Sequence, residues 1–334
     1  MESSKITILS LFDGISCGRL ALERAGVQIG DYYASEINKH AITVAQHHYP
    51  NTIQLGDVRG VHYSDVPKID LLLGGSPCQG FSFAGKQLNF DDPRSALFFE
   101  YVRLLRLYEP RYFLLENVRM KGEHLNIISE LLGVKPVLIN SKHFSAQDRK
   151  RYYWTNIPFN TVMPDNSTTV EDILEGEVDD RYYIEPRRTV KILENEVRRR
   201  KIAYIGSDSQ ANRIYRIHDK SVCLCSDAGG LGAKTGLYAM PCLTPDRVAQ
   251  RQEGRRFKPP HSKFYTLTAQ DKHGVLTNNH IRKLTPLECE RLQTLPDYYT
   301  SVNGLSDNQR YQMIGNGWTV DVIVHILNGM KIDT

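Results

Sequence analysis

Ile6-Thr7-Ile8-Leu9-Ser10-Leu11-Phe12-Asp13-Gly14-Ile15-Ser16-Cys17-Gly18 joins a short apolar run to a glycine-bearing turn. The run has the length and β-branched content of a buried strand, and the glycines let the backbone turn tightly and approach a ligand where a helix begins. Outward from it, further apolar runs fall at residues 32–36, 69–74, 112–116 and 136–144, with helix-like segments between them up to about residue 158. Between the third and fourth strands, Leu97, Tyr101, Leu104, Leu105 and Tyr108 recur at helical spacing after an Asp92-Pro93 start signal, and this stripe reads as core. The alternation predicts an α/β domain, a parallel sheet covered by helices.

Open parallel sheets gather ligands at the carboxyl ends of their strands, so the residues that follow each run carry the chemistry. Glu36 ends the second run, about 20 residues beyond the first, where an acid can accept both hydroxyls of a ribose. Asp57 follows the next segment and is placed to serve an adenine edge. The plain alternative for each is a glycine turn or a helix-capping acid. After Leu71-Leu72-Leu73 comes Gly74-Gly75-Ser76-Pro77-Cys78-Gln79-Gly80-Phe81-Ser82. A cysteine alone is more often an inert small hydrophobe, but here glycines and Pro77 shape a loop at a strand end. Glu116-Asn117-Val118 ends the next strand, bringing a carboxyl group to the edge that holds this thiol.

The bulk numbers narrow the class. The chain has 334 residues, 41% hydrophobic and 24% charged, which is ordinary for a globular protein and long enough for a catalytic domain with a smaller second lobe. No apolar stretch approaches the ~18 residues of a membrane helix, and Met1-Glu2-Ser3-Ser4-Lys5 opens no export signal, so a soluble cytoplasmic protein is expected. Cys17, Cys78, Cys223, Cys225, Cys242 and Cys289 are scattered, which predicts free thiols. Cys223-Leu224-Cys225 has no second pair at ligand spacing, and His47-His48 and His143 are similarly unpaired, so no metal site is expected.

After residue 158 the alternation fades into a charged, Gly- and Pro-rich segment reaching about residue 279, which reads as a second domain. It holds basic clusters at Arg187-Arg188, at 198–201 and at 251–258, and a Gly229-Gly230-Leu231-Gly232 loop. Net charge is only +4, so the placement of these clusters carries more weight than the total. Beyond Leu284, Thr285-Pro286-Leu287-Glu288 is a helix-start signature, and an apolar helix is expected over 320–327.

In this order the segments resemble the motifs of the cytosine-5 DNA methyltransferase family. Carrying the resemblance are Phe12 to Gly14, Pro77-Cys78-Gln79, Glu116-Asn117-Val118, Gln147-Asp148-Arg149-Lys150-Arg151, the Arg282 to Leu295 segment with Leu284-Thr285-Pro286, and Gly315-Asn316-Gly317. They span essentially the whole chain, of bacterial or phage type; Asp13-Gly14-Ile15, Ser76-Pro77-Cys78 and Trp318 are also similar to animal de novo methyltransferase catalytic domains. Two motifs depart from many bacterial members: Ser16-Cys17 stands where glycine is usual, and Trp318 where a small or β-branched residue often follows.

The resemblance implies a Rossmann-like S-adenosylmethionine-dependent sheet with a smaller target-recognition domain. Residues 1–159 would form the catalytic and cofactor-binding domain, 160–279 the target-recognition domain, and 280–334 a segment returning to complete the first. It implies Cys78 as nucleophile at cytosine carbon 6, Glu116 on ring nitrogen 3 and the exocyclic amine, and Arg151 on the ring oxygen, with Arg149 beside it, all acting on a flipped-out base. S-adenosylmethionine would meet Phe12, Asp13, Gly14, Ile15, Cys17, Glu36, Ile37, Asp57, Val58, Pro77, Asn316 and Trp318. Double-stranded DNA is the implied partner, a cognate restriction endonuclease a further one, and the protein a monomer. The alternatives at this point are a cytosine-5 tRNA methyltransferase, a catalytically silent DNA-binding regulator of the same fold, and a nucleotide-dependent oxidoreductase.

Overall fold

The computed structural model describes residues 4–75, 96–185, 240–243, 245, 256–258, 262–268, 273–277 and 280–331. Its centre is a seven-stranded sheet built from β1 (Ile6–Leu11), β2 (Ile29–Ser35), β3 (Ile53–Gln54), β4 (Leu71–Gly74), β5 (Tyr112–Val118), β6 (Val137–Asn140) and β7 (Lys150–Thr155), in the order β3-β2-β1-β4-β5-β7-β6. The first five in that order run parallel, and β7 pairs antiparallel with both β5 and β6. The expected strands at 6–12, 32–36, 69–74 and 112–116 match β1, β2, β4 and β5 within a few residues at each end. The run at 136–144 is shorter as a strand, because a 3₁₀ turn at Ser141–His143 ends it.

Side-chain alternation explains why the sheet is covered on both faces. Ile8, Leu71, Leu73 and Leu114 point into one core and Leu9, Leu72 and Leu115 into the other. The first core is closed by α1 (Cys17–Arg24), α2 (Lys39–His48) and the apolar helix α7 (Val320–Leu327), which packs on α1. The second is closed by α3 (Ala96–Tyr108), through Phe98, Tyr101 and Leu104, and by α4 (Gly122–Leu132), through Ile128 and Leu132. Each such buried aliphatic or aromatic side chain contributes about 1.5–3 kcal/mol. Between α4 and α7 lie α5 (Pro286–Leu292), opened by the expected Thr285–Glu288 capping box, and α6 (Asp307–Asn316).

A three-stranded antiparallel sheet is formed by β10 (His280–Lys283), β9 (His273–Thr277) and β8 (Met240–Leu243); β8 and β9 lie in the part read as a second domain, and β10 opens the segment read as returning to the first. The Gly229–Gly232 loop and the basic clusters at 187–188 and 198–201 lie outside the described residues, as do Pro77 and Cys78. Among the described residues no helix is long and apolar enough to cross a membrane.

Candidate active site

Chain order reverses between β1 and β4: β2 and β3 lie to one side of β1, while β4, β5 and the antiparallel pair lie to the other. The loops leaving neighbouring strands on the two sides of such a reversal part from one another and open a crevice at the carboxyl edge. Four of the sequence-predicted segments leave the sheet at this edge, after β1, β2 and β4 and along β5.

The β1–α1 loop is bent through three left-handed residues, Phe12 (φ 57°), Gly14 (φ 59°) and Ser16 (φ 59°). Only glycine adopts this geometry without cost, so the other two need external support. Asp13 supplies it from inside the fold: its N–H donates to Ser35 O at 3.3 Å, and its carboxylate accepts from the Ser16 hydroxyl and, at 2.7 Å, from the Tyr32 hydroxyl. Burial pushes the Asp13 carboxyl above its usual range. From the other side Tyr299 donates its hydroxyl to Ile15 O at 2.9 Å. The Asp13 side chain, grouped by sequence with the cofactor contacts, is therefore engaged as the internal brace of this loop.

Glu36 stands just past β2 with its carboxylate against the same loop. Oε2 accepts from Gly14 N at 2.8 Å and Oε1 from the Ile37 and Asn38 amides, each at 2.8 Å. A carboxylate offers about four acceptor sites, so Oε2 retains capacity for a ribose hydroxyl. Ile37 beside it is 69% exposed, an apolar surface suited to a purine face, and Val58 is buried. Asp57 caps the 3₁₀ turn Val58–Gly60 and is clasped by the Arg59 guanidinium, which lowers its carboxyl to about 2. Cys17 is buried under Gly317, where a methyl group would lie 3.3 Å from its Sγ, and burial pushes the thiol up to about 12. This thiol packs as an apolar atom within the first core. The bent glycine loop, the open acceptor site on Glu36 and the apolar Ile37 together fit an adenosyl cofactor.

At the other side of the crevice, Glu116 is buried on β5 and Arg151 lies across from it on β7. With Val118 paired to Arg151 and Glu116 to Tyr153, the two side chains are diagonal cross-strand neighbours, and Arg151 Nε meets Glu116 Oε1 at 2.9 Å. Trp318 Nε1 donates to the other oxygen, Oε2, at 3.2 Å. Gly75, the last described residue before Cys78, touches the same indole: a methyl there would stand 2.8 Å from Nε1.

Arg149 is turned inward. It is buried and donates to Leu267 O at 2.8 Å and Gly317 O at 3.1 Å, tying the turn after α6 to the segment that follows the catalytic strands. Expected beside Arg151 on the base, Arg149 instead gives its guanidinium to backbone carbonyls. Gln293 was not singled out from sequence, yet it holds the same turn, donating to Ile314 O at 2.9 Å and Gly317 O at 3.2 Å while accepting from Thr319 at 2.8 Å. The signal was an amide side chain within the Leu284 to Leu295 run, at a position that proves fully buried. Asn316 ends α6 exposed, on the solvent side of this turn.

A family model described as C-5 cytosine-specific DNA methylase matches residues 6–331. The chain belongs to that family. It is an S-adenosylmethionine-dependent DNA cytosine-5-methyltransferase. Among curated relatives, the orphan methyltransferase M.SPRI of Bacillus phage SPR is 29% identical, with 96% of each chain covered. The type II methyltransferase M.HhaI of Haemophilus parahaemolyticus is 27% identical, covering 96% of this chain and 93% of its own. Among solved structures, the Entamoeba histolytica methyltransferase EhMeth superposes with a TM-score of 0.65 at 18% identity, with 98% of each chain covered, and this likeness bears on the fold. The Rossmann-like α/β sheet expected from the resemblance is the sheet observed, and the tRNA-methyltransferase, regulator and oxidoreductase alternatives yield to the DNA methylase assignment.

Proposed function

We propose that this methyltransferase modifies carbon 5 of cytosine within a short specific sequence of double-stranded DNA, with Cys78 as a covalent nucleophile on a flipped-out base. The observation that supports this reading most is Glu116, buried at the carboxyl edge and held through one oxygen by Arg151 and through the other by Trp318. Such a carboxylate is oriented before substrate arrives and faces the edge from which the Cys78 loop departs.

Carbon 5 of cytosine is a weak nucleophile until a thiolate adds at carbon 6. Cys78 forms that bond, and Glu116 shares a proton with ring nitrogen 3, where the displaced electron density collects, while its other oxygen accepts from the exocyclic amine. Arg151, already on the carboxylate, is the group assigned to the ring oxygen of the same base. When bound, S-adenosylmethionine would supply the electrophilic methyl and leave as S-adenosylhomocysteine, and Glu36, Ile37 and the Phe12–Ile15 loop would hold it. Loss of the carbon 5 proton and expulsion of the Cys78 sulfur restore aromaticity and free the enzyme. Attack from above the ring plane requires the base to leave the stack. Sequence choice is assigned to residues 160–279, whose basic clusters suit phosphate contacts.

Bisulfite sequencing of DNA from cells expressing the chain tests the reading. Methylated cytosines sharing one short sequence, absent with the Cys78→Ala protein, are expected. No methylation, or full methylation by Cys78→Ala, would overturn it.

A further inference from the structure

Trp318 stands where the family often has a small or β-branched residue, and its position in sequence pointed to the cofactor. Its hydrogen bond points elsewhere. The indole N–H reaches Glu116 Oε2 at 3.2 Å, on the oxygen opposite the one that Arg151 Nε holds at 2.9 Å. The ring lies flush against two glycines: a methyl on Gly75 would stand 2.8 Å from Nε1 and 3.3 Å from Cε2, and one on Gly18 would stand 3.3 Å from Cζ3. The backbone on either side of Trp318 is pinned. Arg149 and Gln293 donate to Gly317 O at 3.1 and 3.2 Å, and Thr319 is fixed between Ser141 at 2.9 Å and Gln293 at 2.8 Å. An indole seated on two glycines and anchored through both neighbours has little room to turn away from the carboxylate.

We infer that Trp318 is a positioning residue for Glu116. A glutamate side chain has three torsions to freeze before it can meet a base, and fixing them beforehand removes that entropic cost from the reaction. Arg151 and Trp318 each occupy one acceptor site on a different oxygen, which leaves one site on each for the proton shared with ring nitrogen 3 and for the exocyclic amine. Trp318 thus acts on the methylation step through Glu116, and Gly75 is a glycine so that the indole can lie there, whereas a side chain on Gly18 would meet Leu73 Cδ1 at 2.8 Å before it met the indole. This inference rests on Glu116 being the group that holds the base.

The test compares single-turnover methylation at saturating DNA and S-adenosylmethionine with cofactor affinity measured by calorimetry. Trp318→Phe keeps the ring and removes the donor. It should slow the single turnover about tenfold, equivalent to about 1.4 kcal/mol, while cofactor affinity stays within about twofold, which also shows the variant to be folded. Gly75→Ala should slow the reaction similarly by pushing the indole aside, and should add little when combined with Trp318→Ala, where no ring remains to displace. A Trp318→Phe enzyme at the parent rate, with Glu116→Gln slowed by orders of magnitude, would overturn the inference and leave the reading of Glu116 intact. A parent rate at saturation with weakened cofactor affinity would overturn it in favour of a cofactor contact. Glu116→Gln at the parent rate would instead overturn the reading of Glu116 itself.

Discussion

Glu36 braces the loop at Gly14, and under the proposed function it also accepts from a ribose. Glu36→Ala removes a charged acceptor worth about 1.5–3 kcal/mol and at the same time frees the Gly14 amide it holds at 2.8 Å. Calorimetry should show S-adenosylmethionine affinity falling by at least about tenfold, since each 1.4 kcal/mol is a factor of ten; equal affinity would make Glu36 a loop brace alone. Cys17 makes a second residue-scale expectation: with its thiol raised to about 12, native protein treated with an alkylating agent at pH 8 should leave Cys17 unlabelled until it is unfolded. Glu36 and Glu116 could be found in the sequence because an acid just after an apolar run is a local pattern. Arg149 and Trp318 could not be assigned that way, because nothing local tells whether a guanidinium turns to the base or to carbonyls far along the chain, or which oxygen an indole reaches.

At the level of elements, the α5 entry is fixed by a buried ion pair. Arg282 donates to both oxygens of Glu288 at 2.7 and 2.8 Å, with side-chain exposures of 3% and 0%, and Glu288 also accepts from the Thr285 and Glu175 amides. Glu288→Ala leaves a buried guanidinium unpaired and should cost about 3–5 kcal/mol in urea unfolding, whereas the double change Arg282→Met with Glu288→Leu should cost clearly less. On β9, burial lowers His273 from 6.5 to about 4. The unfolded chain takes up a proton at this side chain before the folded one does, so its effect is absent above pH 6.5 and destabilises the fold increasingly as pH falls toward 4. The loss reaches about 3 kcal/mol. His273→Leu should flatten that part of the stability–pH curve, and an unchanged slope would place the titration elsewhere. The strands β1, β2, β4 and β5 were legible as apolar runs, as was the start of α5 from its capping box. The strand character of β7 was hidden by the charges that open it, although its direction follows from length: residues 141–149 are too few for the crossover that a parallel partner requires.

For the whole molecule, the order reversal beside β1 gathers the glycine loop, Glu36, Gly75 and Glu116 at one edge, and the segment from α5 to α7 closes that edge from behind: Tyr299 reaches Ile15 O, and Arg24 reaches Asp321 at 2.7 Å. Sequence choice is assigned to residues 160–279, so exchanging that segment for a relative's should change which cytosines are methylated; an active chimera with an unchanged pattern would refute the assignment. Nucleophile, substrate and order of steps are read together by one experiment. DNA carrying 5-fluorocytosine at the target position should become covalently attached to the enzyme in the presence of S-adenosylmethionine, because fluorine cannot leave as a proton does. The adduct should survive denaturing electrophoresis, disappear with Cys78→Ala and map by peptide mass to the segment around Cys78. An adduct on Cys289 or another thiol, or robust methylation by the Cys78→Ala protein, would contradict the account.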